Sequence, residues 1–230
     1  METIGNESKA KRFGKAAIDI VSFAALAVII ITIISVPFAT VLLKLGKEEA
    51  DTMSYFILSE TLMLAGVFLS AWIVWHLRGF SLEGLGRSLT MRWKDWLSGI
   101  LLATVLYAVG FGISLWAGAV EIAGVAFNPS SLLISLVFFL LVAVTEELAL
   151  RGFVLERLLQ SGVNKFCALF LSAALFSLIH IGNPNFDFLS FINILLAGIL
   201  LGSSYIYTQP LLPDSSTLVL ELDTRPGIRL

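Results

Sequence analysis

Six long apolar runs dominate the sequence, and no other feature restricts the fold so severely. They cover about Ala16–Leu43, Thr52–Leu77, Trp96–Val120, Ser131–Leu150, Lys165–Gly182 and Phe188–Tyr207. Each is near the ~20 residues a helix needs to cross the hydrocarbon core of a bilayer. Inside that core a backbone N–H or C=O finds no water, so a spanning segment must satisfy its own backbone as a helix. The fold expected is therefore all-α, a polytopic transmembrane helix bundle of about six spans. Pro37 predicts a kink toward the outer end of the first span. Gly99, Gly110, Gly112 and Gly118 in the third offer close helix approach. Composition agrees: 57% of the chain is hydrophobic and 14% charged, where a soluble domain carries about 25% charged residues.

Lysine and arginine in the connections predict the orientation. The N-terminal segment is basic through Lys9, Lys11, Arg12 and Lys15. So are the second connection (Arg78, Arg87, Arg92, Lys94) and the one after the fourth span (Arg151, Arg157, Lys165). The segments Glu121–Ser130 and Asn183–Asp187 contain no Lys or Arg, and Lys44 and Lys47 are offset by Glu48, Glu49 and Asp51. This alternation predicts a multi-pass protein of the cell membrane with its N-terminus in the cytoplasm, Trp93 and Trp96 forming part of an interfacial belt. The expected organisation is an N-terminal cytoplasmic segment (1–15), a transmembrane bundle (16–207) and an irregular tail (208–230). The first run is too long for the apolar part of a cleavable signal and reads as a retained anchor. A net charge of −2 gives no sign of nucleic-acid binding, and the bilayer itself is the expected partner. One cysteine, Cys167, excludes an internal disulfide and reads as a small packed apolar side chain. The Gly-rich stretch Gly79–Arg92 lacks the Gly-Lys-Ser/Thr ending of a phosphate loop and reads as a membrane-surface connector.

The chemistry concentrates in Thr145-Glu146-Glu147-Leu148-Ala149-Leu150-Arg151, at the end of the fourth run. Charges there must find partners or a wet cavity. Glu147 and Arg151 stand four apart and can pair on one helix face. Glu146 is rotated about 100° from Glu147. One carboxylate is then neutralised locally and the other left for a general base that deprotonates water. A solvated helix end at the interface is the competing reading. His180, in Phe176-Ser177-Leu178-Ile179-His180, can bind a metal or accept a proton, or can simply be hydrogen-bonded within the bundle. Asn183, Asn185 and Asp187 form a turn with Pro184. His76, beside Trp75 and Arg78, reads as an interfacial anchor, and Asn193 as a helix-packing hydrogen bond. Glu60 is a lone carboxylate in the second span with no evident partner, a candidate for the site or for packing.

Glu146-Glu147-x-x-x-Arg151 followed by Phe176-x-x-x-His180 on the next span resembles the CPBP family of intramembrane proteases. This family includes the CAAX prenyl protease 2 type and the bacteriocin-processing and self-immunity proteins. The string Thr-Glu-Glu-Leu-Ala-Leu-Arg-Gly-Phe-Val resembles its first motif, including Arg-Gly-Phe, and Phe-Ser-Leu-Ile-His its second. The likeness is clear over Ser131–Tyr207, which would be the catalytic core. It implies an endopeptidase in which Glu146 activates water and Glu147 and Arg151 support it. His180 would be a metal ligand or would stabilise the oxyanion. A divalent metal, zinc, would then sit on Glu146 and His180. The implied substrate is a membrane-associated or lipidated peptide, entering from the cytoplasmic side and the membrane.

The family pattern has a third motif, a histidine followed four residues on by Asn or Asp. The two histidines here, His76 and His180, leave none for it. Thr208–Leu230, with three prolines, reads as a truncated or frameshifted C-terminus. The alternative expectation is a non-catalytic immunity or regulatory protein of the same fold that binds a peptide. A small transporter with a Glu/His proton relay fits less well, because no inverted repeat accompanies the motif.

Overall fold

In the computed structural model, residues 8–44, 52–79, 93–124 and 127–208 are described. The Gly-rich connector from Phe80 to Arg92, the tail beyond Thr208 and the side chains of Trp93 and Trp96 lie outside them. The order is α1 (Lys9–Lys44), α2 (Thr52–Arg78), α3 (Trp93–Trp116), α4 (Pro129–Glu146), a π-helical segment (Glu147–Leu155), α5 (Glu156–Gln160), α6 (Lys165–Ile179), a 3-10 turn (His180–Gly182) and α7 (Phe188–Thr208). Among the described residues there is no strand, and six helices are long and apolar enough to cross a membrane. The expected spans are thus found as helices, with α1 beginning earlier, at Lys9, and continuing through Pro37.

The helix ends follow from local chemistry. Asn128 caps α4, its Oδ1 accepting from the amides of Ser130 and Ser131 at 3.0 and 3.2 Å, with Pro129 at the first helical position. Asn164 caps α6 through the Phe166 amide, and Asp187 caps α7 through the Ser190 amide at 2.7 Å. Gly162, at φ +80°, takes the left-handed conformation that closes α5. The turn expected around Pro184 forms, with Asn185 in the left-handed region at φ 58°.

The chain divides into two compact units, one up to Gly162 and one from Val163. The first is built on α1 against α2 and α2 against α4. Its core joins Phe23, Val67, Ala71 and Val74 to Phe153 of the π-helical segment. Phe23 and Phe153 stack with centroids 4.2 Å apart. Close approach in this unit falls on Gly66, where a Cβ would come 2.5 Å from the Ile31 side chain. The glycines picked out in the third span do not serve that purpose: a Cβ at Gly99, Gly110, Gly112 or Gly118 would meet no heavy atom within 4 Å. The α3 side chains from Leu97 to Ile113 are all exposed, the condition of a helix whose apolar surface faces lipid.

The second unit is the α6–α7 pair. Ser177 donates to the Phe191 carbonyl at 2.8 Å, and Gly198 lets α7 approach the Ala173 backbone to 3.0 Å from a would-be Cβ. Two expectations fail here. Cys167 is exposed, because the packed face of α6 is Ala168, Leu169, Ser172, Ala173, Phe176 and Ser177. Asn193 is exposed too, and the interhelical hydrogen bond belongs to Ser177 instead.

Candidate functional site

The motif segment leaves the α-helical pattern at its second glutamate. From Glu147 to Leu155 the backbone is π-helical, an arrangement that is rare and concentrates at functional sites. Leu150 to Leu155 are all buried. Arg151, 2% exposed, is among the most enclosed large side chains of the protein. Its Nη1 lies 3.3 Å from Glu147 Oε1, and Glu147 is half-exposed. The i, i+4 pairing expected from the sequence is therefore present and survives the wider helix. Glu146 is half-buried and also acts coulombically on Arg151, behind Glu147. The three charges are one coupled group, with a single buried cation facing two carboxylates.

Glu60 is 7% exposed on α2, where α2 packs against α4. Its Oε1 is buried and makes no hydrogen bond.

Asp19 was missed altogether. It is 2% exposed on α1 and holds two arginines, Arg157 Nε at 2.8 Å and Arg78 Nε at 3.2 Å. These arginines read from sequence as loop charges that set orientation. The available signal was a carboxylate inside the first apolar run, which by default calls for a partner.

In the second unit, His180 stands at the C-terminal end of α6 with φ −87° and ψ 0°, the bridge region in which many active-site residues sit. Its Nδ1 donates to the Phe176 carbonyl at 2.7 Å, and the Phe176 ring packs edge-on at 4.8 Å. A carbonyl only accepts, so Nδ1 carries a proton. The Phe-x-x-x-His spacing thus fixes the histidine tautomer. His76 is exposed and stacks on Trp72 at 5.5 Å, in keeping with an interfacial anchor.

Among the described residues, no three His, Cys, Asp or Glu side chains come together to hold a metal ion. A catalytic zinc takes three protein ligands and an open position. Glu146 and His180 alone fall short of that set, so the described residues do not fit a zinc.

No curated protein and no solved structure matches the chain. Residues 128–215 match the family model for Rce1-like proteins, type II CAAX prenyl endopeptidase Rce1-like. The match starts on the Asn128 cap of α4 and takes in Glu146, Glu147, Arg151 and His180. Over residues 128–215, then, this chain, with its six helices long and apolar enough to cross a membrane, is similar to type II CAAX prenyl endopeptidases.

Proposed function

We propose that the protein is an endopeptidase that hydrolyses a peptide bond in a membrane-associated or lipidated substrate, with Glu146 as the base. The observation that carries this reading is the Glu147–Arg151 ion pair inside the matched segment. It engages one carboxylate and keeps a buried cation beside the other. Glu146 takes a proton from water as the water oxygen adds to the carbonyl carbon. The C–N bond then breaks, and the same proton leaves with the amine. The N-terminal segment lies in the cytoplasm, the protein in the cell membrane, and the substrate enters from the cytoplasmic side and the bilayer.

The test is cleavage of a farnesylated CAAX-type peptide by the full chain in liposomes, read by mass spectrometry. Glu146→Gln lowers the rate by about 100- to 10,000-fold. Cleavage at the wild-type rate in that variant sinks the reading. The short metal-donor set favours a second one, a non-catalytic immunity or regulatory protein of the same fold. It is distinguished by peptide binding without cleavage, retained in Glu146→Ala and His180→Ala.

A further inference from the structure

At one end of the first unit the cations outnumber the carboxylates beside them. The start of α1 brings Lys9, Lys11, Arg12 and Lys15, α2 ends on Arg78 and α5 adds Arg157, whereas Asp19 and Glu156 are the carboxylates of the same stretches. Asp19 lies between two guanidinium groups, Arg157 Nε at 2.8 Å and Arg78 Nε at 3.2 Å, so this knot keeps a net positive charge. Arg12 stands seven residues before Asp19, on the same face of α1 and about 10 Å nearer its N-terminus. Its guanidinium lies on Gly162, where a Cβ would be 3.6 Å from Cζ, 3.6 Å from Nη2 and 3.7 Å from Nη1. Three near-equal distances set the flat group face-on to the glycine, whose φ of +80° strains any other side chain. The N–H groups of a guanidinium lie in its plane, so they point past Gly162 and not at it. Nε is buried and makes no hydrogen bond.

We propose that Arg12 seats the phosphodiester headgroup of an anionic phospholipid, in the leaflet where α1 begins. A guanidinium offers a planar fork of donors that matches a phosphate. The positive end of the α1 dipole, one turn away at Lys9, and the net charge of the Asp19 knot pull an anion the same way. These charges would attract a free phosphate as well. The surface around them selects a lipid, because exposed apolar side chains adjoin the cations: Phe13 beside Arg12 is 42% exposed, and Leu77 beside Arg78 is 74% exposed. Acyl chains cover such side chains, and an inorganic ion does not. The depth is right for a headgroup, since Arg78 closes the apolar stretch of α2 and so marks the edge of the hydrocarbon region. The site is independent of Glu146 and of the peptidase reading.

The test is native mass spectrometry of the full chain in detergent, titrated with phosphatidylglycerol or with phosphatidylcholine of the same acyl chains. The wild type retains phosphatidylglycerol about tenfold more tightly than phosphatidylcholine. Arg12→Gln lowers that preference about fivefold, the effect of one cation near a membrane surface. Arg12→Lys keeps the charge without the fork and loses about threefold. Lys9→Gln, which removes an exposed cation one turn away, changes the preference by less than about twofold. Equal affinity of the wild type for the two lipids overturns the proposal. Equal losses in Lys9→Gln and Arg12→Gln overturn it too, because they describe a diffuse basic belt with no seat. Displacement of the bound phosphatidylglycerol by an equimolar amount of inorganic phosphate overturns it in favour of a free-anion site. If Arg12→Gln does not fold, Arg12→Lys decides, and wild-type preference in that variant overturns the seat.

Discussion

Replacing Asp19 by alanine tests whether a buried ion triad holds three helices together, and the structure ranks its two arms. The Arg157 side chain is 15% exposed and its Nε stands 2.8 Å from Oδ2. Removing one partner of an enclosed pair costs about 3–5 kcal/mol, and the residual exposure of Arg157 places the loss near the lower end. The Arg78 side chain is 48% exposed at 3.2 Å, so its arm belongs with surface pairs worth roughly 0.2–1 kcal/mol. Asp19→Ala should therefore lose about 3 kcal/mol. Asp19→Asn, which keeps an accepting oxygen but no charge, should lose about 1–2 kcal/mol. The assay is equilibrium unfolding in mixed micelles, followed by circular dichroism, with double-mutant cycles. The coupling of Asp19 to Arg157 should be about 1.5–3 kcal/mol and that to Arg78 below about 1 kcal/mol. Coupling to Arg78 as large as that to Arg157 would refute the argument, because it would mean that burial does not set the strength of these pairs.

Three further outcomes follow from the packing and the caps. Phe153→Ala removes a ring 1% exposed in the core of the first unit and should cost about 3–5 kcal/mol in the same unfolding assay. Gly198→Ala drives a methyl to 3.0 Å from Ala173 and should cost about 1–3 kcal/mol, whereas Gly110→Ala, with open space around it, should be neutral or stabilising by about 0.5–1 kcal/mol. The Ser190 hydroxyl and amide both donate to Asp187 and hold its carboxyl below the usual carboxylate range. A depressed folded value means the cap contributes above the ordinary carboxylate range and is lost as pH falls through the folded value. Exchange at the Ser190 amide, corrected for the intrinsic rate, should accelerate across that acidic window in the wild type and lose this pH dependence in Asp187→Asn.

The spans were legible because each apolar run has to be a helix in lipid, and the ends were legible wherever a side chain caps them. Asn128 before Pro129 is one such end. The Glu147–Arg151 pair was legible because spacing on a helix is local information. What escaped depends on contacts between distant residues. Asp19 and Arg157 are 138 positions apart, and nothing in either neighbourhood names the other. The π-helical register escaped for a different reason: the motif reads equally well on an α-helix. The glycines misled because a small residue permits close approach without demanding it. Those of α3 meet open space, while Gly66 and Gly198 are the ones that other helices need.

The hydrogen bond from His180 to Phe176 has a genetic consequence. The Phe176 carbonyl, in the last turn of α6, accepts from the imidazole. The group that decides which nitrogen carries the proton is therefore main chain. Substituting the Phe176 side chain can change the edge-on ring contact and the packing but leaves that acceptor in place. The protonation pattern of the histidine is thus shielded from mutation at its nearest neighbour, and what would disturb it is a change that unwinds the final turn of α6.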